Sequence, residues 1–115
     1  MIKFNDKVDS MKLSLLVNIF IILCVNIVQA EEIPEYADVE FGEYLSSQCV
    51  TCHKSKESKG IPSIAGKDYF YLVSLLEGYR SKELKNNVMR LQAGNLSDEE
   101  IASLALFFSQ IDISE

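Results

Sequence analysis

Two thiols, an imidazole and a thioether are the side chains of this 115-residue chain best suited to chemistry beyond proton exchange. Cys49, Cys52 and His53 stand together in Cys49-Val50-Thr51-Cys52-His53, and Met89 follows later in the chain. Two cysteines flanking two residues, with a histidine directly after, is the spacing at which thiols add across the vinyl groups of a c-type haem. The histidine then lies under the ring and offers an axial nitrogen to iron. A disulfide or a redox CxxC pair would leave His53 without a role, and no thioredoxin-like βαβ pattern accompanies the cysteines. A zinc site needs more ligands than the remaining chain offers.

A six-coordinate electron-transfer haem needs a second axial ligand, and methionine favours the ferrous state because its thioether is soft. Met1 and Met11 fall in the N-terminal segment, which leaves Met89 as the methionine able to serve with His53. Its neighbours, Asn86-Asn87-Val88-Met89-Arg90-Leu91, read as a polar loop where a lone methionine has little packing reason. The alternatives are core filler, or an open iron suited to ligand binding or peroxidatic chemistry. An axial histidine normally donates its other ring N–H to a carbonyl, and a loop containing Pro62 can present one rigidly. Pro62 can equally well only shape that loop.

The elements that must hold these donors read as helices. Residues 1–30 have a different character: Lys3, Lys7 and Lys12 precede an apolar run from Leu13 to Val28, closed by Val28-Gln29-Ala30. A basic start, an apolar middle and a small-residue exit make a secretory signal, with Met11 as a plausible true start. The run is short and interrupted by Asn18 and Asn26, against the roughly 20 apolar residues of a spanning helix. Cleavage is expected over retention as an anchor, leaving a monohaem domain at 31–115 in the periplasm with no membrane span. A lipoprotein role for Cys24 is discounted, because Leu23 before it is too large.

Within that domain a first helix is expected over about 37–48, with Val39, Gly42 and Leu45 on one face. A loop follows to Gly66, then a helix over 67–79 with Tyr69, Val73 and Leu76 sharing a face. A brief turn near 82–87 leads into a loop reaching 95. Ser97 and Glu100 form a capping box for the last helix, which carries Ile101, Leu104, Ala105 and Phe108 as a buried stripe to about 110. Tyr69, Phe70, Tyr71, Tyr79, Phe107 and Phe108 are expected to fill the core rather than conduct electrons. No alternating stretch is long enough for a sheet, so the fold class is all-α.

Residues 31–115 hold fifteen acidic against eight basic side chains. The bases all fall within residues 54–90, where the loops around the haem are expected. A basic rim on an acidic body would steer docking onto an acidic partner, although solvated loop lysines explain the pattern equally well. Net acidity argues against a nucleic-acid partner.

The order Gly42, Cys49-Val50-Thr51-Cys52-His53, Pro62-Ser63-Ile64-Ala65-Gly66, Met89 and Ser97-Asp98-Glu99-Glu100-Ile101 resembles the small bacterial class I cytochromes c. The runs 61–66, 88–91 and 96–101 look most like the cytochrome subunit of flavocytochrome c sulfide dehydrogenases. The resemblance implies a class I cytochrome c fold of three to four helices around one haem. It implies thioethers to Cys49 and Cys52, iron ligation by His53 and Met89, and a Pro62 carbonyl accepting from the histidine. It also implies that Gly42 lets the first helix cross the last one closely. The loop after His53, with its lysines and a glutamate, departs from the family pattern. The implied role is passage of single electrons, either as a subunit beside a sulfide-oxidising flavoprotein or as a free carrier to an oxidase or reductase.

Overall fold

The computed structural model describes residues 3–25, 30–53 and 59–113. The chain divides into two units, Met1–Glu32 and Ile33–Glu115. The first holds one helix, α1 (Lys3–Val25), whose apolar side chains from Leu13 to Leu23 are exposed. No described helix is long and apolar enough to cross a membrane. The exit residues Val28 and Gln29, and residues 54–58 of the loop after His53, lie outside the described residues.

The second unit carries α2 (Val39–Ser46), α3 (Tyr69–Arg80), α4 (Asn87–Ala93) and α5 (Asp98–Ser109). Every element among the described residues is helical, in keeping with the all-α class expected from the sequence. Each of these four helices begins on a side chain that accepts one of the backbone N–H groups the first turn leaves unpaired. Asp38 Oδ1 accepts from Phe41 N at 2.7 Å, and Asp68 Oδ1 from Tyr71 N at 2.9 Å. Ser97 and Glu100 close the capping box in both directions, at 3.2 and 2.7 Å.

The structure corrects the expectation for the segment after α3. Residues 87–93 are a helix rather than a loop, so Met89 sits on a helical turn. Asn86 is the cause: its backbone is extended and its side-chain oxygen accepts from Met89 N at 3.0 Å. The residues that follow, Met89, Arg90, Leu91, Gln92 and Ala93, are all good helix formers. The polar pair Asn86-Asn87 is a helix start.

Helix α5 is the centre of the domain. Ile101 through Ala105 are all buried, together with Phe108, so its buried face is wider than the expected stripe. Helices α2 and α3 both pack on α5, and α3 also packs on α4. Tyr69 and Leu72 of α3 join Leu104, Ala105 and Phe108 in the core, while Tyr71 is exposed and takes no part in it. The crossing of α2 over α5 depends on Gly42, where an added Cβ would lie 2.0 Å from the Ser103 carbonyl oxygen and 2.8 Å from Phe107 Cβ. Beside it, the fully buried Ser103 hydroxyl accepts from Asp38 N at 3.0 Å, binding the start of α2 to the middle of α5.

Candidate functional site

The Cys49–His53 run continues the coil of α2 past its formal end. Cys49 N and Val50 N donate to Ser46 O at 2.8 and 3.0 Å, and Cys52 N and His53 N donate to Cys49 O at 3.2 and 2.8 Å. Residues three and four apart on such turns share a side, so Cys49, Cys52 and His53 are presented together. Both thiols are free. Burial pushes the Cys49 thiol above its ordinary value, and the neighbouring Cys52 adds to the shift. Cys52 is exposed.

His53 Nδ1 lies 2.8 Å from the Pro62 carbonyl oxygen. A carbonyl only accepts, so Nδ1 carries a proton, and in the neutral ring the lone pair falls on Nε2. The contact also limits rotation of the ring. Neither property follows from the spacing of the motif alone.

Cys49, Cys52, His53, Pro62 and Met89 all line one cavity of about 360 Å³. Its remaining wall is largely apolar and comes from every helix of the second unit: Leu45 of α2, Leu72 and Leu76 of α3, Val88 and Ala93 of α4, and Leu104 and Phe108 of α5. The volume falls within the usual range of ligand pockets, about 300–1,000 Å³. Two thiols on adjoining turns, an imidazole with a free Nε2 and a thioether, set in apolar surroundings, fit the donor set and the solubility of a haem.

Two arginines brace the segment that carries Met89. Arg80 Nη1 donates to Leu96 O at 3.0 Å, and its Nη2 pairs with Asp98 Oδ1 at 2.8 Å, joining the end of α3 to the start of α5. Arg90 Nε donates to Leu84 O and its Nη2 to Lys82 O, both at 2.7 Å. Two of the eight bases between residues 54 and 90 are therefore engaged with the backbone rather than placed on a rim. Lys59, Lys82 and Lys85 are exposed. Sequence reasoning passed over Arg80, Arg90, Asn86 and Ser103, and only Asn86 carries a local signal, as an N-cap before a run of helix formers.

A helical domain wrapped around an apolar cavity, with sulfur and imidazole donors converging on it, is the construction of a haem-binding electron-transfer protein. No family model matches the chain. Cytochrome c-554(548) of Halomonas halodenitrificans is 33% identical over 79 residues, which span 63% of this chain and 94% of that protein. The chain belongs to the cytochrome c family. Covalently attached haem c and a role in carrying electrons follow from that membership.

Proposed function

We propose that the domain from residue 31 onward carries electrons singly on one haem c, bound through Cys49 and Cys52 with His53 Nε2 and Met89 Sδ as axial ligands. The observation that carries this reading is the convergence of these four side chains on one cavity, with His53 Nδ1 turned to the Pro62 carbonyl. When bound, the haem supplies a reversible one-electron change between ferric and ferrous iron. The Pro62 carbonyl fixes the imidazole tautomer and the orientation of the ring. Leu72, Leu76, Leu104 and Phe108 keep water from the ring and leave few charges to reorganise.

The N-terminal unit acts as an export signal in this reading, and the domain works in the periplasm. The exposed apolar side chains of α1 support a targeting role over a place in a core. The redox partner presents an acidic surface to Lys59 and Lys85, which adjoin cavity-lining residues Gly60 and Asn86. A carrier acting alone is the simpler reading, and a fixed subunit of a sulfide-oxidising flavoprotein is the second.

The test is a visible spectrum of the purified mature protein beside Met89→Ala. Covalent c-haem with a weak far-red ferric band, lost in Met89→Ala, is the expected result. A band that survives the substitution removes Met89 as ligand, and a chain without covalent haem overturns the reading. Co-purification of a stoichiometric flavoprotein would select the subunit role instead.

A further inference from the structure

The mount that carries Met89 is weak by itself. Helix α4 has 7 residues, too few to be stable without tertiary support. Leu91 on it is exposed, so part of its apolar surface stands away from the core. The turn that leads into it contains Lys82 at φ 67°, a left-handed conformation that a side chain with a Cβ disfavours. The path of this turn decides where Asn86 stands, and Asn86 caps the helix through the N–H of Met89 itself.

Two sets of contacts hold the turn. On the α3 side, Leu84 N donates to Gly78 O at 3.0 Å, and the Leu84 side chain fills the space an added Cβ on Gly78 would enter. On the α4 side the guanidinium of Arg90 spans the turn, taking Lys82 O and Leu84 O on separate nitrogens at 2.7 Å each. The lysine carbonyl so held belongs to the residue with the disfavoured φ. Bonds from a charged donor at this length are the strong kind, and a planar fork resists rotation.

We propose that Arg90 is a positioning residue for Met89: its guanidinium locks the 82–84 turn to α4 and so keeps the thioether in place for iron. This rests on Met89 being the axial ligand, as proposed above. Arg90 is not among the residues lining the cavity and acts through the turn and the Asn86 cap. Without it, Lys82 relaxes to negative φ, Asn86 shifts, and the thioether is released for part of the time. A competing ligand then binds more tightly, because its apparent affinity rises with the fraction of open iron.

The experiment titrates imidazole into the ferric holoprotein and follows the far-red band, for wild type, Arg90→Gln, Arg90→Lys and Ser97→Ala. Arg90→Gln is expected to weaken the band and to tighten imidazole binding about ten-fold, the part of the two lost charge-assisted bonds that reaches the thioether as a larger open fraction. Arg90→Lys, which keeps one donor, falls between. Ser97→Ala lowers the unfolding temperature through the α5 cap yet leaves imidazole affinity at the wild-type value, separating position from stability. Lys82→Gly added to Arg90→Gln restores the band toward wild type, since glycine accepts the left-handed φ without the tie; it also serves should Arg90→Gln alone fold poorly. A normal band and unchanged imidazole affinity in Arg90→Gln overturn the inference, as does the absence of rescue by Lys82→Gly. If the wild-type protein itself shows no band and Met89→Ala changes nothing, it is the ligand assignment that fails.

Discussion

Replacing Gly42 with alanine sets a methyl group against backbone, and the outcome can be worked from the distances. The new Cβ would lie 2.0 Å from Ser103 O and 2.6 Å from Ser103 C, neither of which can rotate away. Relief requires α2 to retreat from α5 by at least about 1 Å, measured against the contact distances of packed atoms. Overpacking of this kind costs about 1–3 kcal/mol, and a backbone clash belongs at the upper end. The retreat also stretches the 3.0 Å bond from Asp38 N to Ser103 Oγ, worth about 1 kcal/mol. Alanine returns about 1 kcal/mol of helix propensity. The net is a loss of about 3 kcal/mol, which in a domain of this size lowers the unfolding temperature by more than about 10 °C. Thermal unfolding of the ferric holoprotein, followed by circular dichroism, measures it. A Gly42→Ala protein that unfolds within about 3 °C of wild type would refute the close crossing.

Ser103→Ala leaves Asp38 N without its acceptor and opens a small void at the same crossing. A loss of about 1–3 kcal/mol in urea unfolding is expected, and a change below about 0.5 kcal/mol would count against the buried bond. Ser97→Ala breaks one half of the capping box and should cost about 1 kcal/mol, read from the same urea midpoint. In chain produced without haem attachment, burial raises the Cys49 thiol, so the folded state favours its neutral form. That contribution to stability is complete below the unfolded thiol's ordinary value and is lost as pH rises through the raised folded value. Alkylation attacks the thiolate, so peptide mass spectrometry should find Cys52 modified before Cys49 at mildly alkaline pH, with the difference erased in urea. Equal rates in chain shown by circular dichroism to be folded would contradict the burial of Cys49.

Much of this protein is legible one helical turn at a time. The haem-type spacing of Cys49, Cys52 and His53, the capping box at Ser97 and the stripe from Ile101 to Phe108 all depend on residues within a few positions of one another. Their geometry follows from the period of the helix, so the sequence alone places them. Helix α4 obeys the same local logic, since Asn86 caps its own chain three residues on, although the polarity of Asn86-Asn87 reads equally as a loop. What tertiary structure alone decided are contacts between groups separated by more than one helical turn, most of them to backbone carbonyls. Asp38 finds the hydroxyl of Ser103, 65 residues away, and Gly42 meets the carbonyl of the same serine. His53 turns to the carbonyl of Pro62, an acceptor the sequence offered without deciding, and Arg90 reaches back to those of Lys82 and Leu84. Every residue carries an identical carbonyl, so no residue type announces which one a distant side chain will meet. Only the folded path of the chain selects among them.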